Sequence, residues 1–214
     1  MPGDSVETIL IPTPIGDARA HVTLSAGSGA ARAALVLGHG AGGGVGAPDL
    51  LVAERAALRE GLTVVLVEQP YRVAGRRSPP AAARLDLAWT AVLAWLGAHR
   101  LGRCTLVVGG RSSGARVACR TAEATGAVGV LCLAFPLQPP ARAAATRIAP
   151  SRQAELDRVS VPMLVVQGRN DRFGMPAPAS GREVLVVEGD HGLKRESSRI
   201  GDAVARWLRE LPLH

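Results

Sequence analysis

At 214 residues the chain is long enough for one domain with a sizeable core and short for two. A hydrophobic share of 47% with only 3% aromatic points to a core of Val, Leu and Ala, and 25 glycines with 15 prolines point to many turns, as in a globular α/β protein. The net charge of +7 rests almost wholly on arginine, since Lys194 is the only lysine; the arginines are scattered with no nucleic-acid-binding motif among them, so general attraction to anions is expected and a nucleic-acid partner is not.

Residues 6–11 and 19–24 are short strand-like runs separated by Pro12, Pro14 and Gly16, which predicts an antiparallel pair at one edge of a sheet. A small-residue loop follows at 25–32. The continuous apolar run 33–38 reads as a buried strand of a mostly parallel sheet, and it ends in Gly38-His39-Gly40-Ala41-Gly42-Gly43-Gly44, richer in glycine than a connection requires. The spacing of Leu51, Ala53, Ala57 and Leu58 predicts a helix over 48–60, stopped by Gly61. Residues 62–67 form the next buried strand, followed by a polar loop to Pro80. A helix over 81–99 carries Leu85, Ala88, Trp89, Val92, Leu93 and Leu96 as a stripe, with Trp89 and Trp95 assigned to core or helix packing.

Residues 104–108 are again strand-like, then a sharp turn leads into a helix over 113–124. Residues 128–134 make another buried strand, and 136–161 is an alanine- and arginine-rich connection with at most a short helix at 151–158. The strand 161–167 runs into Gly168-Arg169-Asn170-Asp171, and the last strand, 183–187, runs into Glu188-Gly189-Asp190-His191-Gly192. A final helix over 195–211 places Ile200, Val204, Trp207 and Leu208 on the face that covers the sheet. This alternation predicts a doubly wound, mostly parallel sheet with an antiparallel N-terminal edge in a single domain over 1–214. Ligands then sit beyond the carboxyl ends of the strands, where the polar loops fall.

Gly110-Arg111-Ser112-Ser113-Gly114 fits G-x-S-x-G, the pattern of a nucleophile elbow between strand and helix. Taken alone, the same five residues equally fit a structural turn whose serine caps the helix. A serine nucleophile needs a base, and the base needs an orienting acceptor. Downstream of Ser112 the chain supplies Asp171 and His191, each just after a strand, in the order Ser, Asp, His. His21, His99 and His214 fall at an edge strand, a helix end and the terminus, and His39 can orient the glycine-rich loop. Asp190 and Asp157 compete with Asp171, although adjacent side chains such as Asp190 and His191 seldom form the required contact. Oxyanion donors are expected on the backbone N–H of Ser113 and on the loop after the first parallel strand, at Ala41 or Gly40. Gly38-His39-Gly40-Ala41-Gly42-Gly43 also matches a dinucleotide fingerprint with Glu68 as the ribose acid, but residues 44–48 intervene before any helix can start on the third glycine.

These stretches, together with Gln69-Pro70-Tyr71, Phe135-Pro136-Leu137-Gln138-Pro139-Pro140 and Gln167-Gly168-Arg169-Asn170-Asp171, resemble the dienelactone-hydrolase-like, testis-expressed protein 30-like branch of the α/β-hydrolase superfamily over nearly the whole chain after residue 30. The resemblance implies the α/β-hydrolase fold, a site at Ser112, Asp171 and His191, and neither a metal nor an organic cofactor. Dienelactone hydrolases proper carry a cysteine nucleophile where this chain has Ser112. Relatives in the branch include a subunit of a chromatin acetyltransferase complex, so the alternative to an enzyme is a hydrolase-like interaction module with little or no activity.

The leading expectation is a serine hydrolase acting on a small-molecule carboxylic ester or thioester. The connection from residue 134 to 161 is short for a lid domain, so the pocket is expected to be open. Tyr71, Arg72, Arg111 and Phe135 are the candidate substrate contacts, and Arg72, Arg76, Arg77 and Arg111 would favour an anionic ester. Cys104, Cys119 and Cys132 read as small buried hydrophobes, with neither zinc-ligand spacing nor a disulfide framework. Met1-Pro2-Gly3-Asp4 opens no secretory leader and no run of ~18 apolar residues occurs, so a cytoplasmic protein without a membrane partner is expected.

Overall fold

A computed structural model describes residues 6–25, 32–139 and 150–213. The predicted loop at 26–31, the connection residues 140–149, the first five residues and His214 lie outside the described residues. Eight strands form one sheet: β1 (Val6–Ile11), β2 (Ala18–Thr23), β3 (Ala33–Gly38), β4 (Thr63–Glu68), β5 (Thr105–Arg111), β6 (Gly129–Leu133), β7 (Met163–Gly168) and β8 (Arg182–Val187). Their spatial order is β1-β2-β4-β3-β5-β6-β7-β8. β2 pairs antiparallel with both β1 and β4, and every other neighbouring pair is parallel. The predicted antiparallel edge is therefore present, and β2 alone runs against the rest. The order in which successive strands are laid down reverses between β3 and β5, which opens the crevice beyond their carboxyl ends.

Among the described residues six α-helices flank the sheet: α1 (Pro48–Arg59), α2 (Pro70–Val73), α3 (Ala82–Leu96), α4 (Ser113–Thr121), α5 (Gln153–Asp157) and α6 (Ser197–Glu210). The unbroken apolar strands are sorted by the pleat into two cores, because successive side chains leave a strand on opposite faces. Leu35, Leu37, Val64, Val107, Leu131 and Leu164 meet Leu50, Ala53, Ile200, Val204 and Leu208 of α1 and α6. Ala34, Val36, Val65, Val108, Val130 and Val165 meet Trp89, Leu96, Ala115 and Cys119 of α3 and α4. Each fully buried leucine contributes ~1.5–3 kcal/mol. Pro70 at the first position of α2 starts a short helix inside the predicted polar loop.

The helix predicted to reach residue 99 is α-helical only to Leu96, and Gly97–Leu101 widens into a π turn. His99 folds back there: its ring stacks on Trp95 at 4.4 Å, and Nδ1 donates to the Trp95 carbonyl at 2.8 Å. Trp89 is core, as the stripe predicts, and Trp95 is half-buried against the same core. Cys119 and Cys132 are buried with their sulfurs 3.4 Å apart, and Cys104 is half-buried. Some of the arginine charge is paired within the protein, Arg116 and Arg120 with Glu155 and Asp86, Arg182 with Asp157. Among the described residues no helix is long and apolar enough to cross a membrane.

Candidate active site

Ser112 stands between β5 and α4 with φ 52° and ψ −106°, a left-handed conformation that costs a non-glycine residue about 1–3 kcal/mol. Its N–H donates to the Leu133 carbonyl of β6 at 2.9 Å, which holds the strained residue in place. The flanking glycines permit the close approach: a Cβ on Gly114 would lie 2.3 Å from the Gly38 carbonyl oxygen, and one on Gly110 2.5 Å from the same atom. The Ser112 side chain makes no capping hydrogen bond to α4. Its Oγ lies 2.9 Å from His191 Nε2, and His191 Nδ1 lies 2.8 Å from Asp171 Oδ2. The geometry is that of an elbow and not of a helix cap.

The Asp171 side chain is fully buried in the turn after β7. Oδ1 accepts the Phe173 N–H at 2.9 Å, and Oδ2 accepts Gln167 Nε2 at 2.8 Å as well as the imidazole. A carboxylate can only accept, so the imidazole proton sits on Nδ1 and Nε2 presents its lone pair to the Ser112 hydroxyl. Gln167, wholly buried on β7, also donates towards the Phe135 and Gly174 carbonyls. Phe173 meets His191 edge-on at 4.6 Å and carries the Arg172 guanidinium at 4.9 Å on its own ring. The competing acids are used elsewhere: Asp190 Oδ1 accepts the Gly192 N–H, and Asp157 pairs with Arg182. His21 bonds to Glu68 and Thr8. Glu68, held there by His21 and Arg19, faces the sheet edge and not a ribose site.

The glycine-rich loop after β3 is braced from two sides. His39 Nε2 accepts the Gln69 N–H at 3.1 Å, so Nδ1 carries the proton and donates to the Gly40 carbonyl at 2.8 Å. Tyr71 Oη donates to the Ala41 carbonyl at 2.9 Å; burial pushes the phenol up, which keeps this proton on oxygen. Peptide planarity then turns the N–H of Ala41 opposite the pinned Gly40 carbonyl. A Cβ on Gly40 would come within 2.9 Å of Arg111 Nη1 and 3.5 Å of Ser112 Cβ, so this loop adjoins the elbow.

Burial holds the His39 imidazole below its ordinary 6.5, and the Arg72 charge acts in the same direction. A native pKa below the unfolded one means that the unfolded chain binds the proton more readily. The stability this gives is complete above pH about 6.5 and is lost as pH falls through the native value. Urea midpoints are expected to drop between pH about 7.5 and about 5.5, with a smaller drop in His39→Gln, which has no such proton to take up.

Two of the expected substrate contacts need correcting. Phe135 has no exposure, because the chain turns at Ala134 with φ 50° and sends the ring into the core shared with α3 and α4. Arg111 is committed inside the protein, with Nε 2.9 Å from Asp49 Oδ2 and Nη2 donating to the His191 carbonyl at 2.9 Å. Tyr71 is buried and braces the Ala41 carbonyl. Arg72 is half-buried, Nη1 donating to the Arg76 carbonyl, and its charge reaches Tyr71 and His39. Arg76 and Arg77 are exposed. Gln167, Phe173 and Asp49 escape sequence reasoning; a glutamine four residues before Asp171 was the one available signal. A cavity of about 480 Å³ lined by Thr90, Leu93, Leu101, Cys104 and Val128 lies at the amino ends of β5 and β6 and holds none of these groups.

No curated protein sequence matches the chain. Among solved structures, a lidless α/β serine hydrolase from Xanthomonas campestris is similar over 100% of this chain and 98% of its own, with TM-score 0.75 and 21% identity. Est1E from Butyrivibrio proteoclasticus with ferulic acid bound is similar over 94% and 98%, with TM-score 0.75 and 13% identity. A dienelactone hydrolase from Anabaena variabilis is similar over 99% of both chains, with TM-score 0.72 and 12% identity. At these identities the likeness establishes a common fold, with a mostly parallel sheet and, among the described residues, no lid domain between β6 and β7. The model of the alpha/beta hydrolase domain family matches residues 31–206, and the chain belongs to that family.

Proposed function

We propose that the protein is a serine hydrolase that cleaves small carboxylic esters or thioesters through an acyl-enzyme on Ser112. The observation that carries this reading is the continuous path from Ser112 Oγ to His191 Nε2 at 2.9 Å and from His191 Nδ1 to Asp171 Oδ2 at 2.8 Å. In the first half-reaction Ser112 Oγ attacks the carbonyl carbon while His191 Nε2 takes its proton. The imidazolium, stabilised by Asp171, returns that proton to the departing alcohol or thiol. Water then attacks the acyl-enzyme, with His191 as base and then acid, and frees the carboxylic acid and Ser112.

The tetrahedral oxygen is held by the N–H of Ser113, which has no intrahelical acceptor at the first position of α4, and by that of Ala41. The positive end of α4 adds to the field there. Gly40 keeps the loop close to Ser112. The connection after β6 is short for a lid domain, which supports small acyl groups as substrates. Arg72, half-buried beside Tyr71, supports a preference for anionic esters.

An active-site-directed fluorophosphonate is expected to add once to the wild-type protein, with the adduct mapped to Ser112 by mass spectrometry and absent from Ser112→Ala. No adduct, together with equal aryl-ester turnover by the two proteins, would leave an interaction module as the reading. For the anionic preference, kcat/KM is expected to favour an anionic over a neutral ester with the same leaving group by roughly 5–10-fold, and Arg72→Ala to remove that difference. Equal values in both proteins would rule the preference out.

A further inference from the structure

We propose that Arg111, held by the buried carboxylate of Asp49, is a positioning residue that keeps the main chain at His191 in register with Ser112. The kinetic part of this rests on the serine-hydrolase reading; the structural part does not. Arg111 is the residue before Ser112, and its guanidinium turns back from the elbow. Nη2 donates to the His191 carbonyl at 2.9 Å, and Nε stands 2.9 Å from Asp49 Oδ2 at the start of α1. Nη1 lies under Gly40, where a Cβ would come within 2.9 Å of it. One planar group thus touches the oxyanion loop, the first helix and the loop that carries the base.

Planarity makes this a positioning device. The directions of the guanidinium N–H groups are fixed with respect to one another, so ion pairing of Arg111 with Asp49 restrains the direction from which Nη2 meets the His191 carbonyl. The Asp49 side chain has no exposure, while that of Arg111 is 19% exposed. Burial pushes the Asp49 carboxyl up, and the Arg111 charge and the Leu50 N–H, which donates to Oδ1 at 3.0 Å, oppose it. Such a pair adds little net stability compared with apolar side chains of the same volume, which leaves placement as the role it fits. Other ties on the His191 loop fall on its neighbours: the Arg169 N–H to the Val187 carbonyl, the Asn170 N–H to the Gly189 carbonyl, the Glu188 N–H to Glu196, and the Gly192 and Leu193 N–H groups to Asp190. Arg111 acts at His191 itself.

The test uses Arg111→Lys, Arg111→Met and the double variant Asp49→Asn/Arg111→Met. It reads kcat and KM on an aryl ester, the urea midpoint, and the downfield proton resonance of the imidazole N–H shared with Asp171. Arg111→Met is expected to be destabilised by its unpaired Asp49, and the double variant to regain the urea midpoint. Both are expected to lose kcat by about 100-fold with KM within about twofold, since a shift of ~1 Å between nucleophile and base costs this much. The imidazole resonance should broaden or move in both. Arg111→Lys is expected to keep its fold yet lose about 10-fold in kcat, because a single ammonium cannot bridge Asp49 and the His191 carbonyl as a fork does. A kcat that recovers together with the urea midpoint in the double variant, or an imidazole resonance unchanged there, would overturn the proposal. Should the wild type turn over no ester, the functional reading fails, and the resonance still decides the role of Arg111.

Discussion

Asp171→Asn is expected to lower kcat by about ten-thousand-fold while the protein remains folded. The argument lies in hydrogen-bond polarity. Oδ1 of Asp171 accepts the Phe173 N–H, so the asparagine oxygen must take that place and its amide nitrogen must take the place of Oδ2. Gln167 Nε2 and His191 Nδ1 both point at that position. An amide there opposes the Gln167 donor, and it can be accommodated by His191 only if Nδ1 becomes an acceptor. The imidazole proton then moves to Nε2, where it faces Ser112 Oγ and removes the lone pair that should receive the serine proton. Gln167 cannot relieve the conflict by flipping its amide, because its oxygen would then face the Phe135 and Gly174 carbonyls. Aryl-ester kinetics with circular dichroism as the control for folding would check this; a loss below about tenfold would mean that Asp171 does not set the tautomer.

The second large effect is on folding. Gly114→Ala is expected to destabilise the protein by roughly 3 kcal/mol, at the upper end for an overpacked interior, and to abolish esterase activity. The added methyl carbon would lie 2.3 Å from the Gly38 carbonyl oxygen, 2.5 Å from the Gly38 carbonyl carbon and 2.9 Å from the His39 oxygen, all of them backbone atoms. Relief requires α4 to move away from β3. That withdraws Ser112 from His191 and the Ser113 N–H from the glycine-rich loop after β3 together. For a chain of this length the melting temperature should fall by roughly 10 °C. A fully active, equally stable alanine variant would show that the elbow is looser than described.

The fold and the central constellation were legible because each reports on something local. An apolar run flanked by helical spacing marks a parallel strand, and a polar residue at its carboxyl end marks the crevice, so Ser112, Asp171 and His191 could be read one strand at a time. Glycines two before and two after Ser112 carry the same kind of signal. What stayed hidden depends on neighbours distant in the chain. Gln167 looks like one more residue of an apolar strand until the Phe135 and Gly174 carbonyls close around it. Asp49 looks like an ordinary acid in the first turn of a helix, and only the fold shows Arg111 laid against it. The charge of Arg111 points to substrate, and that charge is already taken by Asp49. The position of Phe135 after a strand points to the pocket; a left-handed Ala134 turns it inward. The π turn after α3, where His99 stacks on Trp95, is a feature no helical periodicity encodes.

During synthesis, α1 emerges early and waits for its partner. It packs against α6, and between them they cover the leucine-rich face of β3, β4, β5 and β7. That face stays half open until Ser197–Glu210 has left the ribosome, after every strand of the sheet and after His191. At ~5–20 residues per second the interval between the two helices is on the order of 10 s. For that time a nascent chain with most of its sheet already made presents an apolar surface to chaperones and to neighbouring chains. The same packing that seals the finished protein thus defines when, in its making, it is most prone to aggregate.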